Sequence, residues 1–227
     1  MIPLYDDQPG RTFPIITILL ILGNVAVFAF WQLGVGLEKS VALAALTPAE
    51  LAQHSPTAVR DLFSSMFMHG SWLHLIGNMW FLWIFGNNVE DATGPIRFIV
   101  FYLLCGVLAT LAHVGAEPQS LIPIVGASGA VSGVLGAYLV KHPTAYVRTA
   151  IPIGFIIRIA DVPAFIFLLI WIGLQIFSQA VSGVPGERGG VAYLAHIAGF
   201  FAGVLLIFLF QRRRQLQPYR QIKDPRW

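Results

Sequence analysis

Long apolar runs alternate with short polar ones along this chain. Six of the runs approach the roughly 20 residues that a helix needs to cross the hydrocarbon of a bilayer. They cover approximately residues 13–33, 67–85, 98–114, 122–140, 162–180 and 191–210, with nearly all charged residues between them. The stretch "TAIPIGFII" at residues 149–157 is apolar too. It is short, carries Pro152 and Gly154, and lies between Arg148 and Arg158, so the pattern predicts an interfacial loop rather than a span. The longest connection, residues 34–66, includes "PAELAQHSPTAVRDLF". Its mixed character predicts short amphipathic helices resting at the membrane interface, in a loop suited to shaping access to a site.

Composition agrees with lipid as the solvent. Of 227 residues, 56% are hydrophobic and 11% charged, against about 25% charged in ordinary globular domains; mean hydropathy is +0.73. The expected fold is therefore an all-α polytopic membrane protein. A six-helix membrane domain occupies residues 1–211, and a basic cytoplasmic tail occupies 212–227. The first span follows Arg11 alone and is long for a signal-peptide core, so it reads as a retained helix. Cys105 is the single cysteine and lies in an apolar run. That leaves neither a disulfide framework nor a thiolate zinc site, and the residue reads as a small hydrophobe.

Charge supplies orientation. With six spans both termini share a side, and eleven lysines and arginines fall there: Arg11, Arg97, Lys141, Arg148, Arg158, Arg212, Arg213, Arg214, Arg220, Lys223 and Arg226. Only Lys39, Arg60 and Arg188 fall opposite. The positive-inside rule then puts both termini in the cytoplasm. The expected setting is a plasma (inner) membrane, with "QRRR" touching anionic lipid headgroups. The net charge of +3 comes mostly from the tail and is no nucleic-acid signal.

The polar residues inside the spans gather at one depth. The second, fourth and sixth spans run from outside to inside, and each carries its unusual polar groups near its outer end. These are His69, His74 and Asn78 in "FMHGSWLHLIGNMWFLWIFG", Ser128 in "GASG", and His196 in "AYLAHIAGFFAG". His74 and Asn78 are four residues apart and share a helix face. His69, five residues before His74, is expected to point elsewhere. Serine in a membrane helix commonly bonds a backbone carbonyl or a neighbouring helix. "GAVSG" and "GFFAG" match the close-packing Gly-xxx-Gly pattern. Ser128 thus has two readings, a packing residue or a nucleophile. An ionisable group at membrane depth, such as His196, is expensive and reads as functional.

Serine becomes a nucleophile when an adjacent base takes its proton, and histidine is the usual base. Asp61, Glu90, Asp91, Glu117, Asp161 and Glu187 lie in loops or at span ends. A catalytic site here would therefore be a Ser128–His196 dyad without a carboxylate. The Ser128 backbone N–H, the Asn78 amide and a ring N–H of His74 could serve the developing oxyanion. A zinc site of His69, His74 and His196 is disfavoured by angular mismatch and by the lack of a His-Glu-x-x-His pattern. A transporter is disfavoured because the polar groups cluster at one face. No phosphate- or dinucleotide-binding glycine pattern occurs, and no cofactor is implied.

In these residues the sequence resembles the rhomboid family of intramembrane serine proteases. "HLIGN" matches the family's His-x-x-x-Asn in the second span, "GASG" its Gly-x-Ser-Gly opening the fourth, and "AHIAGFFAG" its Ala-His-x-x-Gly-x-x-x-Gly in the sixth. The resemblance covers essentially the whole chain. It implies Ser128 as nucleophile, His196 as general base, and His74, Asn78 and the Ser128 amide as oxyanion donors. It also implies single-span membrane proteins as substrates, cleaved in or near their transmembrane helix, with the fifth span, residues 162–180, near their entry. Two positions depart from the pattern. Val59–Arg60 stands where members often carry Trp-Arg, and Ser132 stands where some carry a tyrosine against the histidine. The second departure leaves the group that orients His196 unassigned. Activity is expected to fall as His196 protonates, near pH ~6.5 for an unperturbed imidazole. The alternative is a non-enzymatic scaffold that binds transmembrane helices.

Overall fold

The computed structural model describes residues 1–181 and 192–212. Residues 213–227, most of the tail expected from charge, lie outside the described residues, as does Arg188. The chain opens with strand β1 (Ile2–Asp6) and enters helix α1 (Ile15–Ala26). A π-helical segment (Val27–Gln32) and α2 (Leu33–Val35) continue α1 as one rod. Three short helices follow, α3 (Leu37–Ala44), α4 (Pro48–Ala52) and α5 (Ala58–Ser64), as the mixed polarity of that connection predicts. The bundle then continues through α6 (Trp72–Thr93), α7 (Pro95–Ala116), α8 (Ser128–Lys141), α9 (Ala164–Val181) and α10 (Tyr193–Phe210).

Among the described residues, the Ile15–Val35 rod, α7, α9 and α10 are long and apolar enough to cross a membrane. Helix α6 is as long as α7 but carries Glu90 and Asp91 in its last turn. Helix α8 has 14 residues. Its apolar run begins earlier, at residue 122, but Pro123 and Gly126 (φ 121°) hold that part extended. Helix α6 likewise starts at Trp72 rather than residue 67, because Ser71 caps it, its Oγ accepting the His74 N–H at 3.1 Å.

Helix α8 is the centre of the bundle: every residue from Gly129 to Tyr138 is buried. Glycine makes that density possible. A Cβ at Gly199 would lie 2.1 Å from the Gly129 carbonyl oxygen, and one at Gly203 would lie 1.9 Å from that of Gly133. Helices α8 and α10 therefore touch backbone to backbone, as close packing between membrane helices allows where side chains are absent. A Cβ at Gly133 would also meet Cys105 Cβ at 2.4 Å, so α7 closes on α8 from another side. Cys105 is buried there, as its apolar surroundings predict.

Residues 149–157 form part of a sheet, not a loop. Strands β2 (Tyr146–Ile153) and β3 (Ile156–Pro163) pair antiparallel, and β1 adds to β2, giving the order β1-β2-β3. Gly154, with φ 58°, takes the first turn position between paired Ile153 and Ile156, which suits a two-residue hairpin turn. Pro152 is tolerated because β1 pairs only as far as Ala150, so β2 has one neighbour beyond it. Ile153, Phe155, Ile156 and Ile157 stand exposed around the turn.

Candidate active site

The site is assembled at the N-terminal end of α8. Its approach, residues 117–127, is pinned by the short helices of the long connection. The Ile124 N–H donates to the Leu46 carbonyl at 2.8 Å, and the Gly126 N–H donates to that of Ser65 at 2.9 Å. Ser128 is the first residue of α8, half-buried. The opening amides of a helix lack intrahelical acceptors and carry the positive end of its dipole. The Ser128 N–H is one of them.

His74 and Asn78 face this turn from α6. A Cβ at Gly126 would lie 2.7 Å from both Cε1 and Nε2 of His74 and 3.6 Å from Nδ2 of Asn78. Both side chains thus close on the backbone two residues before Ser128. Asn78 is buried, and its Nδ2 has no hydrogen-bond partner among the described residues. Leaving a buried donor unmade is costly, so this amide is an unspent donor held beside the serine.

His196 sits in the first turn of α10, half-buried. Its helix meets α8 at this level, since a Cβ at Gly129 would lie 3.9 Å from the Ala195 carbonyl oxygen. His74 and His196 lie within electrostatic range of one another. Ser128, His74, Asn78 and His196 thus share one layer of the bundle. No hydrogen bond joins the Ser128 hydroxyl to His196 among the described residues; such bonds are often long before substrate binds.

His69 does not point away as expected. It precedes α6 rather than lying on it, so helical spacing does not apply, and its ring meets that of His74 edge-on at 5.1 Å. Gln32, buried in the π-helical segment, fixes the His69 backbone in both directions. Its Oε1 accepts the His69 N–H at 2.8 Å, and its Nε2 donates to the His69 carbonyl at 3.1 Å.

The departures from the family pattern acquire definite roles. Arg60 Nε donates to Asp61 Oδ1 at 2.7 Å, and its Nη2 donates to the Leu43 carbonyl at 3.0 Å, tying α5 to α3. Ser132 Oγ donates to the Ser128 carbonyl at 2.7 Å and so bonds along its own helix. The partners of His196 come instead from α9. Gln175 Oε1 lies 2.9 Å from its Nδ1, and the Trp171 ring stacks on it at a centroid distance of 6.2 Å. Neither residue carries a motif in the sequence. The signal available was a glutamine inside an apolar span, four residues after a tryptophan and so on one face with it.

The family profile described as "Rhomboid domain" matches residues 56–213, well over half of the chain. Rhomboid-like protein 11, chloroplastic, of Arabidopsis thaliana is 30% identical over 166 residues, covering 70% of this chain and 55% of that protein. Rhomboid protein 1, mitochondrial, of Saccharomyces cerevisiae is 27% identical, covering 96% of this chain and 60% of that protein. Rhomboid protease GluP of Bacillus subtilis is 29% identical, covering 88% of this chain and 36% of that protein. The chain therefore spans between about a third and three-fifths of these relatives' lengths. It is an integral membrane protein, and it belongs to the rhomboid family.

Proposed function

We propose that the chain is a serine endopeptidase that hydrolyses peptide bonds in or near the transmembrane helix of single-span membrane proteins. The observation that carries this reading is the meeting on Gly126, two residues before Ser128, of His74 and the Asn78 Nδ2, which has no partner among the described residues. A packing serine needs no such donors around it. In the proposed reaction Ser128 Oγ attacks the scissile carbonyl carbon while His196 Nε2 takes the hydroxyl proton. The carbonyl oxygen becomes an oxyanion facing the Ser128 N–H, the Asn78 amide and the His74 ring. The protonated His196 then gives its proton to the leaving amine, and an acyl-enzyme remains. Water, deprotonated by His196, hydrolyses the ester and restores the serine.

Depth supports the supply of water. His74 and His196 both lie in the first turn of their helices, so the site opens near the ends of the bundle rather than at its middle. The lysine and arginine balance puts the termini on the positive side and the site on the opposite one. One relative is named chloroplastic, one mitochondrial, and one comes from a bacterium. The orientation is accordingly proposed relative to the membrane that holds the chain, and no plasma membrane is specified. In the same reading residues 1–211 act as one membrane domain and 212–227 as a headgroup-facing tail.

The test is cleavage in liposomes. Full-length protein is reconstituted with a single-span substrate whose helix carries glycine or proline near its outer end. Product is expected with the wild type and not with Ser128→Ala or His196→Ala. Binding of the substrate without product in all three would favour a helix-binding scaffold instead.

A further inference from the structure

We propose that Gln175 is a positioning residue for His196. Its side-chain carbonyl holds the imidazole in the tautomer that carries hydrogen on Nδ1 and leaves the Nε2 lone pair for the Ser128 hydroxyl. The inference rests on the proposed function of the site, but the bond itself can be tested without it.

The chemistry of the contact decides the tautomer. Gln175 Oε1 lies 2.9 Å from His196 Nδ1. An amide oxygen only accepts hydrogen bonds, so Nδ1 supplies the hydrogen. In a neutral ring the other nitrogen then carries the lone pair, and which nitrogen does so is set by such a bond. Trp171, four residues before Gln175 on α9, stacks on the same ring at 29° and limits its tilt. Tautomer and orientation are thus both set from one helix face.

Other candidates for this role are engaged elsewhere. Ser132 spends its hydroxyl on the Ser128 carbonyl. Four of the described carboxylates are engaged elsewhere: Asp61 pairs with Arg60, Asp161 with Arg148, and Glu90 and Asp91 accept from the segment entering α1. Among the described residues, the rings that meet His196 are Trp171 from α9 and Tyr193 from its own helix, and the titratable group that acts on it electrostatically is His74 from α6. A neutral amide suits this setting. An ionised carboxylate on α9 would be expensive inside an apolar span, whereas the amide accepts without carrying charge.

Two measurements test the assignment. The first is cleavage kinetics in liposomes with Gln175→Leu and Gln175→Glu. Loss of the bond in Gln175→Leu should lower kcat by about ten- to a hundredfold with KM within about twofold, as for loss of a group that orients a catalytic base. Gln175→Glu keeps an accepting oxygen in place, so it should recover most of that rate. A charged glutamate there would also move the acid limb of the pH–rate profile upward. Equal losses in both variants, with lowered thermal stability, would mark a packing role and overturn the assignment, as would a wild-type rate in Gln175→Leu. The second is the ¹⁵N–¹H correlation spectrum of the wild-type histidine rings, with His196 assigned by its loss in His196→Gln. A proton on Nδ1 at neutral pH supports the assignment, and a proton on Nε2 overturns it. A wild type that cleaves nothing yet shows the Nδ1 proton would count against the protease reading while leaving the Gln175–His196 bond in place.

Discussion

Gly126 is constrained twice over, by its backbone and by its neighbour. Its φ of 121° is a conformation that side chains rarely adopt, and a Cβ there would enter the His74 ring at 2.7 Å. Gly126→Ala is therefore expected to displace His74 and to lower cleavage by about 10²-fold or more, the usual loss when one oxyanion donor is misplaced. Circular dichroism should show an unchanged helix content. Wild-type cleavage by Gly126→Ala would show that His74 is no donor. At this scale the sequence was informative where the signal was a costly residue type in an apolar run. His74, Asn78, Ser128 and His196 stand out because polar groups at membrane depth demand a reason. Gln175, Gln32 and Trp171 were harder to assign, since each acts through a helix remote in sequence. Helical spacing does not describe His69, because Ser71 starts the helix after it.

Among the elements, the crossing of α8 and α10 sets the register of Ser128 against His196. An added Cβ at Gly199 would stand 2.1 Å from a backbone oxygen that cannot rotate away. Gly199→Ala should push the helices apart and cost about 1–3 kcal/mol, the range for overpacking, with cleavage lost alongside. Gly23→Ala in α1 is the control, since nothing lies within 4 Å of its Cβ site. Thermal unfolding in detergent separates the two: Gly199→Ala should melt lower, whereas equal melting would remove the argument from backbone contact. The Gly-xxx-Gly spacing made this pair legible in the sequence. The β2–β3 hairpin was not, because its strands are completed by β1 from the far end of the chain. Local Pro152 and Gly154 read as loop residues until that pairing is known. The acidic residues at the end of α6 also had a hidden role. Glu90 accepts the Ile16 and Thr17 N–H groups at 3.0 and 2.8 Å and so caps α1 from another helix. Glu90→Ala should cost about 1–2 kcal/mol, as for the loss of a strong helix cap, read as a lower melting temperature.

Across the whole molecule, the N-terminal strand is locked to the bundle at the end opposite Ser128. Asp6 accepts from Tyr138 Oη at 2.5 Å and from Asn88 Nδ2 at 2.7 Å, joining β1 to α8 and α6. Burial pushes the Asp6 carboxyl up from 3.8 to about 6, against the opposing pull of these donors. A raised carboxyl favours the protonated folded form, so its contribution to stability is full below pH ~4 and is lost as pH rises to ~6. The melting temperature of the wild type should therefore fall across that window relative to Asp6→Asn, and parallel curves for the two proteins would refute the assignment. None of this was legible from composition, which showed only a polar start to the chain. The helical membrane architecture was legible, because apolar run length follows directly from the bilayer; among the described residues four of the expected spans are helices long and apolar enough to cross it. Activation of Ser128 can be measured without a substrate. Purified protein in detergent is treated with a fluorophosphonate, and the adduct is mapped by mass spectrometry beside Ser128→Ala and His196→Ala. The expected result is a single adduct on Ser128 that neither variant forms. An adduct that persists in His196→Ala at the wild-type rate, or one on another serine alone, would contradict it.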